Sequence, residues 1–328
     1  MKTPRSLRVG SCLARFFEDF AAFKRASGIE FDSSVSALES FDRFLRSAVN
    51  EPREIGSDVL TRFVRSLTRL APRTRSNVVS VVWQALGYAI RHGAPCPALP
   101  ECPTFRQLQV IEPYAYSQEE IREILLALLE LPPKDSLRPH TLATLIALLV
   151  TTGLRISEAL ALKLSDVDSV HGVLRIRHGK FGKARDLPIL PSTLDGLCSY
   201  LERREGAGMP QGSEAAFFVS LRRDRCSPSA VSGPFKAVVK DLGIRTSGGA
   251  IPRLHDLRHT YAVRRVAQWY REGVDVNTRL AALSGYLGHT SPQHTARYLQ
   301  ANESILLEAG ARFEELSAPL GLEEGAER

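Results

Sequence analysis

Prolines divide this chain into two parts. Four of them fall in the short segment from Gly93 to Pro103, and Pro113 follows soon after. Proline removes a backbone donor and restricts the residue before it, so such a segment favours a stiff, extended connector over a helix. The length of 328 residues suits two domains of roughly 100–200 residues each. We predict an N-terminal domain at 1–107 with the connector at about 93–113, a second domain at 114–316 and an acidic, flexible tail at 317–328.

Apolar residues recur every three or four positions before the connector. This spacing predicts helices over 12–26, 34–49, 60–70 and 74–91, with Pro72 interrupting the pattern. Charge is uneven here, because the segment from Leu60 to Pro100 holds six arginines and no acid. These arginines are Arg62, Arg65, Arg69, Arg73, Arg75 and Arg91.

The second domain combines helices with a few short strands. Ser117 and Glu120 form a capping-box pattern that predicts a helix to about Leu131. Further helices are expected over 139–151 and 155–163 and again after Ser192, whereas 173–177 and 186–189 are typical of strands around a Gly-Lys-Phe-Gly turn. The predicted fold class is therefore mainly α (α+β): a helical N-terminal domain and a mostly helical second domain with a small antiparallel sheet.

Composition excludes several classes of protein. Hydrophobic residues at 44% and charged residues at 24% exclude wholesale disorder. No apolar run reaches the roughly 18–20 residues of a membrane helix, and the first residues lack the pattern of a secretory signal. Five scattered cysteines without a Cys-x-x-Cys pair predict reduced thiols in a cytoplasmic protein. The net charge of +7 and pI near 9.3 permit a nucleic-acid partner without requiring one.

Five segments of the second domain carry groups suited to chemistry on a phosphate. They are 152–158, 179–185, 255–260, 287–289 and 297–298. Arginine offers a planar fork for two phosphate oxygens and keeps its charge. A tyrosine hydroxyl, with a pKa near ~10, needs nearby cations and a base to act as a nucleophile. Each segment alone is more typical of solvated charges or packed side chains, so their combination and order carry the information.

That combination resembles the tyrosine recombinase (phage integrase) family of site-specific DNA recombinases. The resemblance rests on the motifs Thr-Gly-Leu-Arg-x-Ser-Glu, Lys-x-x-Lys-x-Arg-x-x-Pro, His-x-Leu-Arg-His-Thr and Leu-Gly-His-x-Ser, with Tyr298 nine residues after the histidine of the last motif, His289. It covers nearly the whole chain, since the N-terminal helices resemble that family's core-binding domain and 117–313 its catalytic domain.

The resemblance implies a role for each site residue. Tyr298 would be the nucleophile that becomes bound to a 3′-phosphate, and Arg155 and Arg258 would clamp the phosphate. His255 would act as base or phosphate donor, His289 would hydrogen-bond a non-bridging oxygen, and Lys180 would protonate the leaving 5′-oxygen. No cofactor or metal is implied, because the phosphotyrosine conserves the energy of the broken bond.

The resemblance also implies the partners. These are double-stranded DNA and further copies of the chain, as a tetramer on two DNA sites, with partner recombinases or accessory proteins as a further option. We predict DNA contacts from the six arginines of 60–100, from Lys183 and from Arg185. The reaction would serve integration, excision or transposition of a mobile element.

Several alternatives stay open on the sequence alone. Lys183 competes with Lys180 as general acid, and Glu158 either orients Arg155 or lies in solvent. His255-Asp256-x-x-His259 differs by one methylene from a zinc-protease signature. A helix predicted at 304–316 either folds back on its own subunit or docks on a neighbour. For the whole chain, the alternatives are a non-cutting DNA-binding accessory protein of the same fold and a type IB topoisomerase-like enzyme.

Overall fold

The computed structural model describes residues 6–29, 31–105, 113–177 and 184–288. The chain separates into two compact units, Met1–Ile111 and Glu112–Arg328. Both units are mostly helical, and the second also contains a small antiparallel sheet, which confirms the predicted mainly α (α+β) fold. In the part of the chain that the structure describes, no helix is both long enough and apolar enough to cross a membrane.

The first unit is a helical domain with a phenylalanine-rich core. Phe17, Phe41 and Phe63 come from three different helices and are buried, and the rings of Phe41 and Phe63 meet edge to face at 4.7 Å. Trp83 is also buried and donates its indole N–H to the carbonyl of Pro100 at 2.9 Å, which holds the proline-rich segment against α4. The helices are α1 Ala14–Ala26, α2 Asp32–Ala48, α3 Ser57–Ser66 and α4 Pro72–Arg91.

The prediction that Pro72 interrupts the helical pattern is wrong in one respect. Pro72 is the first residue of α4, and the break lies before it, after α3 ends at Ser66. Proline suits the first helical position because its fixed φ fits the helix and its missing N–H has no partner there.

The second unit is built around α6, which is apolar on nearly every side. Residues 142–149 of α6 are mostly buried, and α5, α8 and α10 pack around it. The helices of this unit are α5 Gln118–Leu129, α6 Leu137–Thr152, α7 Ile156–Ala161, α8 Pro191–Gly206, α9 Pro228–Asp241, α10 Asp256–Arg271 and α11 Val276–Leu287.

The sheet has three antiparallel strands, β1 Val167–Asp168, β2 Val173–Ile176 and β3 Arg185–Pro188, in the order β1-β2-β3. Its register pairs Ile176 with Arg185, so β3 begins opposite the end of β2. The strands β2 and β3 were predicted, whereas the two-residue β1 was not, because so short a segment shows no alternation.

The entry to the second unit is fixed to α10. Ser117 and Glu120 form the predicted capping box at the start of α5. Just before it, the backbone N–H of Tyr116 donates to Thr260 Oγ1 and its carbonyl accepts from Arg264, both at 3.0 Å. The helix α10, which carries Arg258 and begins directly after His255, is therefore anchored at Thr260 and Arg264.

Candidate active site

The turn between α6 and α7 places Arg155. Gly153 ends α6 with φ of 64°, and a Cβ atom there would lie 2.6 Å from Cδ1 of Tyr261, so only glycine fits. The backbone N–H of Arg155 then donates to Glu158 Oε2 at 3.1 Å, and its Nη1 donates to Glu158 Oε1 at 3.0 Å. One carboxylate thus caps α7 and orients the guanidinium beside it.

Arg258 lies next to Arg155. It belongs to the first turn of α10 and is only 2% exposed. Its Nη1 donates to the carbonyl of Gly153 at 2.8 Å and its Nη2 to the carbonyl of Leu287 at 2.7 Å. Nη1 of Arg155 approaches the same Leu287 oxygen at 3.5 Å. The two arginines, far apart in the sequence, therefore converge on one carbonyl oxygen.

His255 lies at the start of α10, one turn before Arg258, and is open to solvent on one side. Packing on its other side, followed by the positive charges of Arg258 and Arg253, lowers the pKa of the His255 imidazole below its ordinary value. A neutral imidazole can accept a proton, which suits the predicted role as a base.

Glu158 joins two arginines. Its side chain is 1% exposed, and Arg185 donates Nη1 to Oε1 at 3.1 Å and Nη2 to Oε2 at 3.0 Å. Burial by itself raises the pKa of the Glu158 carboxyl, but the hydrogen bonds from Arg185 and from the Arg155 backbone, together with both positive charges, hold it below its usual range. Glu158 is therefore a buried carboxylate that contacts Arg155, which answers the alternative left open by the sequence.

The end of α11 provides the floor of the site. Three successive carbonyls accept from three different arginines: Tyr286 from Arg185 at 2.9 Å, Leu287 from Arg258 at 2.7 Å, and Gly288 from Arg155 at 3.0 Å. These are carbonyls that a helix leaves without partners at its C-terminus, where the helix dipole favours positive charge. Gly288 has φ of 66°, and a Cβ atom there would lie 2.9 Å from Arg185 Nη1.

The cluster carries net positive charge, because it contains the three guanidiniums of Arg155, Arg185 and Arg258 and the one carboxylate of Glu158, which contacts the first two. Bonds from arginine to a phosphate oxygen are charge-assisted and stronger than bonds to a neutral carbonyl. Arg155 and Arg258 can therefore exchange carbonyl partners for phosphate oxygens and stabilise negative charge that develops on phosphorus.

The predicted site residues divide into two groups. Arg155, His255 and Arg258 lie together as expected, with Arg185 beside them. The others, Lys180, Lys183, His289 and Tyr298, lie outside the described residues, as does the predicted helix at 304–316.

The predicted DNA-binding arginines of the first unit lie mostly at the surface. Arg62, Arg65, Arg69, Arg73 and Arg91 are exposed. Arg75 is half-buried, with its guanidinium 4.2 Å from the centre of the Phe105 ring.

The zinc-protease alternative gains no support from the geometry. Across residues 6–29, 31–105, 113–177 and 184–288, no group of three or more His, Cys, Asp or Glu side chains is placed to hold a metal ion. Asp256 is instead engaged by Arg253, whose Nη2 donates to Oδ1 at 2.7 Å.

Sequence reasoning missed the contact between Glu158 and Arg185. Arg185 was predicted to contact DNA, but its side chain is 14% exposed and its guanidinium is hydrogen-bonded within the chain. One signal was available, since Glu158 is the only acid in its motif and lies three residues after an arginine on the same helix face. That signal indicates that the Glu158 carboxylate pairs with Arg155, but it does not identify Arg185 as the second cation.

Comparison with known proteins gives a consistent family. The phage integrase family model matches residues 116–304, more than half of the chain. "Putative integrase/recombinase y4rE" of Sinorhizobium fredii is 32% identical over 309 residues, covering 92% of this chain and 97% of that protein. Tyrosine recombinase XerC of a Roseiflexus species is 30% identical over 278 residues, covering 81% and 82%.

Solved structures share the fold. The Tn1549 transposon integrase in complex with circular intermediate DNA aligns with a TM-score of 0.63 at 16% identity, covering 92% of this chain and 99% of that one. The XerH recombinase bound to its difH substrate aligns with a TM-score of 0.60 at 20% identity, covering 91% and 84%. From these matches and the arginine site, the chain belongs to the phage integrase family and is a tyrosine-type site-specific recombinase that acts on DNA.

Proposed function

We propose that this protein cleaves and rejoins DNA strands through a covalent 3′-phosphotyrosine at Tyr298. The observation that carries the proposal is the convergence of Arg155 and Arg258 on the carbonyl oxygen of Leu287, at 3.5 and 2.7 Å. Two guanidiniums that reach one oxygen can hold the non-bridging oxygens of one phosphate, and charged donors fixed in advance stabilise the transition state without a reorganisation cost.

The reaction exchanges one phosphodiester for another. The Tyr298 oxygen attacks phosphorus, its proton passes to the neutral His255, and the bond from phosphorus to the 5′-oxygen breaks. The leaving 5′-oxygen takes a proton from a general acid, Lys180 by the family resemblance or else Lys183. Attack of a 5′-hydroxyl on the phosphotyrosine reverses the step and joins a strand, so no external energy source is needed.

His289 completes the phosphate contacts in this proposal. In the sequence it follows Gly288 directly, and the carbonyl of Gly288 accepts from Arg155 at 3.0 Å. By the family resemblance, His289 donates to a non-bridging oxygen, which adds a third donor to the two arginines.

DNA is held partly by the first unit. Its exposed arginines on α3 and α4 occupy a segment without acids, so they offer positive charge to the DNA backbone. Such contacts position the duplex and are sequence-tolerant, which leaves site choice to contacts with base edges.

The biological setting that we propose is recombination of a mobile element by a tetramer on two DNA sites. Support for recombination comes from the Sinorhizobium relative, which carries the name of an integrase/recombinase and matches over nearly its whole length, while the mobile element and the tetramer follow from the family resemblance. In this assembly the segment at 304–316 docks on a neighbouring subunit. Its deletion, as Δ304–328, should abolish cooperative pairing of two DNA sites, and unchanged pairing would contradict the docking.

The decisive experiment is covalent trapping on nicked duplexes that carry the terminal sequences of the element encoding this chain. A nick close to the cleavage point lets the short fragment that carries the free 5′-hydroxyl diffuse away. The phosphotyrosine then accumulates and survives denaturation. We expect wild type to form the adduct in EDTA and Tyr298→Phe to form none.

The matched control is Tyr270→Phe, which removes a hydroxyl from a partly buried tyrosine at the end of α10. This variant should form the adduct at the wild-type rate. An adduct that persists in Tyr298→Phe would refute the nucleophile. No adduct from wild type on DNA that it demonstrably binds would favour the non-cutting accessory protein.

A further inference from the structure

Arg185 is hydrogen-bonded through every nitrogen of its guanidinium. Each of its three guanidinium nitrogens donates within the chain, Nη1 and Nη2 to the two oxygens of Glu158 and Nε to the carbonyl of Tyr286. The side chain is 14% exposed. A guanidinium bound bidentately to a carboxylate is held in a fixed plane, and these charge-assisted bonds oppose its transfer to another partner.

The contact with Glu158 reaches Arg155 through a shared atom. Oε1 of Glu158 accepts from Arg155 at 3.0 Å and from Arg185 at 3.1 Å. Without Arg185, Arg155 would be the charged partner that the described residues leave to the buried carboxylate. Since a buried charge with one partner removed is costly, we expect Arg155 to turn further toward Glu158 and away from a phosphate.

The contact with Tyr286 fixes the other side of the site. Arg185 begins β3 and thereby ties the sheet to the end of α11, one residue before the carbonyl bound by Arg258. When DNA draws Arg155 and Arg258 away from their carbonyls, Arg185 is the arginine that still holds the helix end.

We propose that Arg185 is a positioning residue that keeps Glu158 and the end of α11 in place, and that it does not contact DNA. This inference rests on the proposed function, because what Arg185 positions is the phosphate clamp. It competes with the sequence-based prediction that Arg185 binds a DNA phosphate. A positioning role affects the rate of adduct formation, whereas a phosphate contact affects the affinity for DNA and its salt dependence.

The test compares Arg185→Gln with Arg175→Gln. Arg175 lies on the neighbouring strand β2 and is also ion-paired, donating to Asp168 at 2.7 Å, but it is half-exposed and lies outside the site. Two quantities are measured for each variant: the affinity for DNA over a salt series, and the single-turnover rate of adduct formation at saturating DNA.

A positioning role predicts a rate about 10–100-fold below wild type for Arg185→Gln, since small misplacements of catalytic groups have effects of this size. Affinity and its salt slope should stay at wild-type values. Arg175→Gln should change neither quantity. A slope reduced by about 1 with an unchanged rate at saturation would instead assign Arg185 to a DNA phosphate and overturn the proposal.

Two further variants separate positioning from general stability. Arg185→Lys keeps the charge but loses the fork, so it should recover little of the rate. The double variant Glu158→Gln with Arg185→Gln removes the unpaired buried charge and should be faster than Arg185→Gln alone. Should the single variant not fold, Arg185→Lys and the double variant are measured in its place, and a double variant no faster than a folded single one would contradict the proposal.

The two measurements, the affinity over a salt series and the rate of adduct formation, also distinguish this inference from the proposed function. If wild type formed no adduct, covalent cleavage would fail, while the salt slope would still decide whether Arg185 reaches a phosphate.

Discussion

The two units use arginine in opposite ways. On α3, on α4 and in the loop between them, five arginines of the first unit lie exposed, and among the described residues the ion pair found for them is a contact at 4.0 Å between Arg62 and Asp58. Around α11 of the second unit, Arg155, Arg185 and Arg258 are largely buried and hydrogen-bonded to main-chain carbonyls or to Glu158.

The difference lies in the number of hydrogen bonds that fix each guanidinium. An exposed guanidinium attracts a phosphate from any direction and gains mainly from the release of counterions, so it contributes affinity that depends on salt. A guanidinium fixed by several hydrogen bonds presents its donors in one orientation, so it contributes rate. Variants of the two sets should therefore change different measured quantities.

The largest effect is expected from Arg258→Lys. Lysine retains the charge but has one ammonium in place of the two nitrogens that donate to Gly153 and Leu287, and it cannot offer a fork to phosphate. We expect adduct formation at saturating DNA to fall about 100- to 1000-fold, the loss typical of a donor to a developing oxyanion. The control is Arg265→Lys on the same helix, whose guanidinium lies 5.9 Å from the Tyr261 ring centre. A wild-type rate in Arg258→Lys would remove Arg258 from the clamp.

Gly288→Ala should have the next largest effect. Its new Cβ would lie 2.9 Å from Arg185 Nη1, so the guanidinium must move, and we expect adduct formation about tenfold slower. Gly243→Ala is a close control, because Gly243 has φ of 74° and open space around it. Both variants bear a backbone cost of about 1 kcal/mol, visible as a lower melting temperature. Equal adduct rates in the two variants would show that the contact with Arg185 has no effect on catalysis.

In the first unit, the double variant Arg65→Gln with Arg69→Gln should change affinity alone. Each lost phosphate contact lowers the slope of log affinity against log salt by about 1, so we expect a slope smaller by about 2. The rate at saturating DNA should stay unchanged. Arg15 and Arg53 are exposed arginines outside the acid-free segment, and their double substitution by Gln serves as the control. Equal slopes for the two double variants would contradict a DNA-binding role specific to the acid-free segment.

The smallest effect concerns pH. Packing and the charges of Arg258 and Arg253 lower the pKa of His255, so the neutral imidazole persists at pH values below the ordinary 6.5. The acidic limb of the rate of adduct formation should therefore lie below pH 6.5. Since the folded pKa is below the unfolded one, the unfolded state binds more protons and stability also decreases as the pH falls below 6.5. Arg253→Gln removes a positive charge and should shift the acidic limb to higher pH, and a shift to lower pH would contradict the assignment.

Sequence reasoning succeeded where local pattern or motif order was sufficient. The helices of the first unit follow from apolar spacing, and the capping box at Ser117 fixed the start of α5. The motifs brought Arg155, His255 and Arg258 into one site, because the family resemblance supplies long-range proximity that periodicity cannot.

The remainder depended on tertiary contacts. Nothing local distinguishes Arg185 from an exposed strand arginine, because its partner Glu158 lies on a different element. Likewise, no sequence pattern reveals that main-chain carbonyls of 286–288 receive three arginines, since every residue type has a carbonyl. The start of α4 at Pro72 was misjudged because proline breaks a helix in its interior but suits its first position.

The three carbonyls at the end of α11 have a consequence for how this protein tolerates change. Because the arginines bind main-chain oxygens, the side chains of Tyr286 and Leu287 can be exchanged without removing any of these hydrogen bonds. The number of residues in α11, by contrast, is strictly constrained. One inserted residue in α11 rotates everything after it by about 100° and advances it by about 1.5 Å, so each arginine would face the wrong carbonyl. Substitutions at Tyr286 and Leu287 should therefore leave the three arginine bonds in place even where they disturb packing, whereas an insertion in α11 should break all three.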